Sequence, residues 1–302
     1  MRAILFGASK AGENYVSNHP DIEVVAFTDN DSAKHGTRFM GYPIIAPADI
    51  NTHDVDSIII TSQWVDQIYS QLTLEMGIDE SNIIVPSKQS VKAALPFEDN
   101  ETLAFAQSVM RTLNRYFVSH NISACLDSGT LLGAVRNKGL IPWDDDIDLA
   151  VDKDNYERLQ ASLPELYKLL NTNYDVKWNI VIITVNNIDC CINLEFSNSS
   201  HTQLVPFDIS VQRRESINGL SELLSSGGLF FAPATHFDSY EPIEFLGETF
   251  LAPFDAEGFL TFMYGHWQTP KKTTQITEYE NRRASMSAPR TGISVQKRTL
   301  CE

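Results

Sequence analysis

The chain is poor in positive charge. Its 302 residues hold 23 lysines and arginines against 39 aspartates and glutamates, a formal net charge of −16 at pH 7. A nucleic-acid binder would show a basic face, and attachment to anionic lipid by charge alone needs a polybasic surface, so neither class is expected. Long apolar runs are also missing. No stretch of 18 or more apolar residues occurs, and no transmembrane helix is predicted. The opening MRAILFGASKAG reaches glycine too early for a secretory apolar region and reads as a first strand. Cysteine is scarce: Cys125, Cys190, Cys191 and Cys301 show no paired CxxC spacing, and the adjacent Cys190 and Cys191 do not easily form a disulfide. Reduced thiols in a cytoplasmic protein are the simplest reading. Zinc held by Cys190, Cys191 and His201 stays open, with no ligand spacing to support it.

What remains is an ordinary globular composition, 43% hydrophobic and 21% charged, with enough length for one large or two average domains. No internal repeat or low-complexity segment interrupts it. Over the first ninety residues, short apolar runs (RAILFGAS, IEVVAFTDND, YPIIAPADI, VDSIIITS, NIIVPS) alternate with helical stretches (AGENYVSNH, WVDQIYSQLTLEMG). That rhythm predicts an α/β unit with a parallel sheet, residues 1–92. It fades over 87–100, where the domain boundary is placed. A second domain, 98–302, begins with a helix over 101–120, whose stripe is Phe105, Val109, Leu113 and Phe117. Strand, tight turn, short helix, loop and strand are expected through ISACLDSGTLLGAVRNKGLIPWDDDIDLAV, then a helix capped by Asp152 or Asp154. NIVIITV, CCINLEF and QLVPFDISV read as strands, and DAEGFLTFMYGHW as a short helix. The stretch 216–250 yields no assignment, and the polar tail from Lys271 reads as partly irregular.

Two motifs carry chemistry. The first is GASKAG, with Gly7, Ser9 and Gly12 in a G-x-S-x-x-G pattern between a strand and a helix. Such a turn suits a phosphate at the helix N-terminus. Asp29, at the end of the second strand, is placed to meet a ribose hydroxyl. A nucleotide or nucleotide-sugar is therefore the candidate ligand of residues 1–92. The bland alternative is a turn that only closes an α/β unit, with Asp29 solvated.

The second motif is WDDDIDLAV, from Trp143 onward. Four carboxylates in five positions repel one another, and an uncompensated charge is costly to bury. Side chains alternate along a strand, so Asp146 and Asp148 share one face while Ile147 and Leu149 enter the core. Two carboxylates about 7 Å apart on one face suit a hard cation such as Mg²⁺. Asp208, alone among apolar residues in LVPFDISV, supplies a third acid. A calcium loop of the D-x-[DN]-x-[DN]-G type, with its later Glu, is absent. Upstream, Gly129 and Thr130 open a short helix able to hold a phosphate, and Arg136 and Lys138 can neutralise its oxygens.

The run LDSGTLLGAVRNKGLIPWDDDIDLAV, followed by VPFDISV and FLTFMYGHWQTP, resembles the signature segments of the LicD family, phosphotransferases of nucleotidyltransferase fold to which the fukutin-related proteins are similar. The likeness spans roughly residues 100–270. It implies an α+β nucleotidyltransferase-fold domain with a mixed sheet. It also implies catalytic and metal-binding roles for Asp146, Asp148 and Asp208 with Mg²⁺ (or Mn²⁺), and puts Arg136, Trp143 and Asp144 near substrate. Tyr264, Trp267 and Pro270 are expected to pack. The implied reaction moves a phosphorylated small alcohol (phosphocholine, glycerol phosphate or ribitol phosphate) from a CDP-linked donor to a glycan or glycolipid acceptor. Nucleotidyl transfer with pyrophosphate release, or nucleotide-sugar sensing without catalysis, remain alternatives. For a choline payload, Trp143, Trp178 and Trp267 are cage candidates, though scattered in sequence. Residues 1–90 resemble the Rossmann-like N-terminal domains found beside sugar-modifying enzymes.

Overall fold

The computed structural model describes residues 1–91, 95–227, 229–271 and 295–300. The chain divides into two compact units, Met1–Ala93 and Ala94–Pro270, the second completed by the C-terminal strand. Both are α/β, and both sheets are mixed.

The first unit runs β1 (Arg2–Phe6), α1 (Lys10–Asn18), β2 (Glu23–Thr28), β3 (Arg38–Phe39), β4 (Tyr42–Ile45), β5 (Ser57–Ile60), α2 (Val65–Ser70) and β6 (Ile83–Ile84). Its sheet has the order β3-β4-β2-β1-β5-β6. Every pairing is parallel except β3 with β4. Parallel strands covered on both faces read as continuous apolar runs, and β1 and β5 do so. Ile4, Phe6, Ile58 and Ile60 pack with Val65, Ile68 and Leu72 on one face. Ala3, Leu5, Phe27 and Ile59 pack with Tyr15 on the other.

The second unit opens with α3 (Asn100–Ser119), capped by Asp99, whose carboxylate accepts the Thr102 N–H. Its predicted stripe points inward: Val109, Leu113 and Phe117 are buried, and Phe105 packs against the same core. There follow β7 (Cys125–Leu126), α4 (Ser128–Leu132), β8 (Asp146–Val151) and α5 (Lys153–Asn173). Asp152, of the two expected caps, binds the Asn155 N–H at the start of α5. Then come β9 (Val176–Val185), β10 (Ile188–Asn198), β11 (Asp208–Ile217), β12 (Leu220–Leu223), β13 (Phe231–Pro233), β14 (Tyr240–Phe245), β15 (Glu248–Pro253), α6 (Ala256–Tyr264) and β16 (Val295–Thr299). The main sheet has the order β14-β15-β7-β8-β11-β10-β9-β16, with β12 and β13 branching from β11. β8 and β11 are parallel neighbours near its centre.

Two stretches differ from expectation. The unassigned 216–250 consists of four short strands, paired β12 with β13 and β14 with β15. The polar tail lies largely at 272–294, outside the described residues, as does Cys301. Where the tail is described again it is a strand, β16, antiparallel to β9. Among the described residues no helix is long and apolar enough to cross a membrane.

Candidate functional site

The site is built on β8. Its burial alternates as the sequence implies: Ile147 and Leu149 are buried, while Asp146 and Asp148 are half-buried on the opposite face. β11 runs alongside in register, Asp208 opposite Asp146 and Ser210 opposite Asp148. Three of the acids expected to act together therefore share one row of the sheet face. A second gathering overlaps this row. One carboxylate oxygen each from Asp144, Asp145 and Asp146 lie within 4.8 Å of one another, the one such acidic group among the described residues. The expected metal set, Asp146, Asp148 and Asp208, overlaps this group. Asp146 is common to both sets, whereas Asp148 accepts a 2.7 Å hydrogen bond from the Gln212 amide and Asp208 stands exposed at the start of β11. Asp145 was not singled out from sequence, because side-chain direction in the turn before a strand follows no period. All-oxygen, anionic donors suit a hard cation of the Mg²⁺ or Mn²⁺ type rather than a thiophilic one.

The segment 127–138 packs against the strand that carries these acids. The Asp148 N–H donates to the Thr130 hydroxyl (2.9 Å), and the Asp148 carbonyl accepts the Asp127 N–H (3.1 Å). Thr130 is only 3% exposed, and its hydroxyl braces β8. Gly129 faces the Asp144 carboxylate closely: a Cβ there would oblige that side chain to shift. Arg136 donates to the Trp267 carbonyl (3.1 Å), and its guanidinium lies 5.9 Å from the centre of the Trp143 ring. Burial lowers the Arg136 pKa, and the charge of nearby Asp144 opposes that shift. A cation thus sits beside the acids. Lys138 is exposed, in a left-handed turn with φ of +56°.

The LicD/FKTN/FKRP nucleotidyltransferase-domain model matches residues 121–255. Residues 121–255 are a LicD-family domain. A C2185-like N-terminal domain model matches residues 1–84. A stretch of 61 residues is 46% identical to lipopolysaccharide cholinephosphotransferase LicD of Haemophilus influenzae, taking up 19% of this chain and 23% of that protein. Another of 73 residues is 38% identical to an uncharacterized protein of Rickettsia prowazekii, 24% of this chain and 27% of that one. The chain spans about a quarter of the length of the curated relatives it matches. Among solved structures, UDP-D-quinovosamine 4-dehydrogenase from Vibrio fischeri is 19% identical with a TM-score of 0.24, over 28% of this chain and 75% of that one. An overlap of that quality carries no weight for fold or function.

Within the LicD domain a further pair escaped the sequence reading. Asp127 and Arg214 are both buried, and Arg214 Nε lies 2.8 Å from Asp127 Oδ2. The guanidinium lies 4.2 Å from the centre of the Phe237 ring. The pair ties the start of α4 to β11. No local pattern signals it, because its members are far apart in the chain. The three tryptophans do not form a cage. Trp178 is fully buried and Trp267 nearly so, both in the core, and only Trp143 is half-exposed. Trp267 packs as expected, Tyr264 lies against the same core, and Pro270 is exposed. Cys190 and Cys191 are buried, their thiols bonded to the Ile183 carbonyl and the Asn193 side chain, and His201 is exposed. Burial pushes the Cys190 thiol up to about 11. These residues form no metal group among those described.

In the first unit, Gly7 follows β1 with φ of +125°, and a Cβ there would come 2.6 Å from the Thr61 carbonyl oxygen. Ser9 donates to that same carbonyl (3.4 Å). A Cβ on Gly12 would meet the Gly7 carbonyl at 2.6 Å. The glycine loop lies where the strand order reverses, between β1 and β5. Asp29 ends β2 with both oxygens engaged: Oδ1 by the Asp31 N–H, Oδ2 by the Ala8 N–H and the Lys34 ammonium (2.7 Å).

Proposed function

We propose that the LicD domain catalyses Mg²⁺- or Mn²⁺-dependent transfer of a phosphorylated small alcohol, of the phosphocholine, glycerol phosphate or ribitol phosphate class, from a CDP-linked donor to a sugar hydroxyl of a surface glycan. One observation carries the reading: the acids at the start of β8 converge, in register with Asp208, inside the family-matched stretch. Asp146, Asp148 and Asp208 would hold the cation, with the carboxylates of Asp144 and Asp145 gathered beside Asp146. When bound, such a cation would supply charge neutralisation to the donor diphosphate and to the leaving CMP. Arg136, braced by the Trp267 carbonyl, presents a fork of donors to phosphate oxygens. The acceptor hydroxyl attacks phosphorus as the bond to CMP breaks, and exposed Asp208 accepts its proton. Most of the acceleration comes from positioning and charge neutralisation. In the first unit, the glycine loop at the reversal of strand order is Rossmann-like, which supports a nucleotide or nucleotide-sugar there. Gly7, Ser9, Gly12 and Asp29 are its candidate contacts, Asp29 being paired with Lys34.

The test is a donor screen with purified protein, Mg²⁺ and a sugar acceptor, with and without EDTA, products read by mass. CMP release from CDP-choline, CDP-glycerol or CDP-ribitol, abolished by EDTA and reduced at least about 100-fold by Asp146→Asn, is the expected result. Pyrophosphate from a nucleoside triphosphate would replace this reading with nucleotidyl transfer.

A further inference from the structure

Asp148 is directed by a relay that reaches it from outside the family signature. Gln212 lies on β11, two residues beyond Ser210 and on the same face, opposite Ala150 of β8. Ala150 is fully buried. Gln212 Nε2 donates to Asp148 Oδ1 at 2.7 Å. Its Oε1 accepts from the Ser225 hydroxyl at 2.5 Å. The chemistry fixes the amide's orientation. An ionised carboxylate accepts only, so the NH₂ group must face Asp148, and the carbonyl oxygen then requires a donor, which Ser225 supplies. Ser225 lies in the turn Leu224–Ser226 that follows β12. Leu224 of that turn packs, as Ile183 does, against the cluster of Val185, Cys190 and Cys191 on β9 and β10. The turn is thereby anchored independently of Gln212.

We infer that Gln212, oriented by Ser225, is a positioning residue for Asp148. It occupies Oδ1 and turns Oδ2 towards the row that Asp148 shares with Asp146 and Asp208. The inference rests on the reading of this face as a cation-holding centre. Carboxylates in such centres are held by outer partners whose loss weakens metal binding about 10- to 100-fold. A glutamine suits the task because it directs the carboxylate without adding a charge that competes for the cation.

The experiment is titration of the purified chain with Mn²⁺ alone, bound metal read by electron paramagnetic resonance, with far-ultraviolet circular dichroism and thermal melting on each variant. Asp148→Asn weakens Mn²⁺ binding if the face holds the cation, and serves as the reference. Gln212→Leu is expected to weaken it about tenfold, at an unchanged circular dichroism spectrum. Ser225→Ala removes the orienting donor and should weaken it about threefold, while Ser225→Thr keeps the hydroxyl and should stay within about twofold of wild type. The threonine rescue keeps the test decisive should Gln212→Leu fail to fold. If Asp148→Asn weakens Mn²⁺ binding but Gln212→Leu and Ser225→Ala bind as wild type, the relay is overturned and the centre stands. If Asp148→Asn binds as wild type, or the wild type takes up no Mn²⁺, the reading of the centre falls and the relay with it.

Discussion

A single buried contact shows how much of this site depends on partners that lie far apart in sequence. Arg214 and Asp127 satisfy each other in the interior, and removing one strands the other. Arg214→Met should destabilise the second unit by about 3–5 kcal/mol, because it leaves a fully buried carboxylate uncompensated. Adding Asp127→Asn removes that charge while keeping an oxygen for the Ser128 N–H (2.7 Å), and should recover part of the loss. Urea denaturation of the single and double variants decides: a double variant no more stable than Arg214→Met contradicts the account. The same distance in sequence explains which site residues could be read early. Asp146, Asp148 and Asp208 were legible because a strand's alternation makes a charge among apolar residues conspicuous. Asp145, Gln212 and Asp127 were not. The first lies in a turn, and the other two owe their roles to partners 64 and 87 residues away.

Among the elements, α3, α5 and the strands of the first unit could be placed from periodicity and caps, since each buries a continuous stripe. The strands within 216–250 could not, because short hairpin segments with one wet face carry little pattern. β16 is the extreme case: VQKRT is exposed throughout and has no apolar rhythm. It is held by backbone pairing to β9 and by a fork from Arg298 to Asp189, with N–O distances of 2.7 and 2.5 Å. Asp189 also accepts from Thr184 and Gln160. The Arg298 hydrogen bond, outweighing partial burial, pulls the Asp189 carboxyl down to about 2. A lowered folded-state value means the pair stabilises when the carboxylate is ionised. Its contribution is complete above about pH 4 and is lost as pH falls towards 2. Asp189→Asn should therefore speed amide exchange in β16 at pH 6 and leave little further effect near pH 2. Hydrogen exchange read by mass checks this, and equal protection of β16 in both proteins at pH 6 would refute it.

For the molecule as a whole, the two units carry separate cores, one on both faces of the first sheet and one behind the carboxylate face. Damage to the first core should leave the acids of the second intact. Gly7→Ala forces a side chain into a left-handed backbone and against the Thr61 carbonyl, so it should cost the first unit more than about 1 kcal/mol. Calorimetry should show the part of the transition that belongs to the first unit moving down, while Mn²⁺ affinity stays within about twofold of wild type. A parallel fall in Mn²⁺ affinity would show that the cation site depends on the first unit.

β11 is written in two reading frames. Ile209 and Val211 point to the core, while Asp208, Ser210, Gln212 and Arg214 pass along the other face from solvent to full burial. The first of these is a candidate base, the third steadies Asp148, and the last locks α4 in place. Inserting one residue after Asp208 would exchange the frames, sending three polar groups into oil and two aliphatic ones into the cation site. Lengthening the loop between β10 and β11 would change neither. Natural variation in length should therefore collect before Asp208 and be purged from the seven residues Asp208–Arg214, where a frameshift of the strand is also a frameshift of the chemistry.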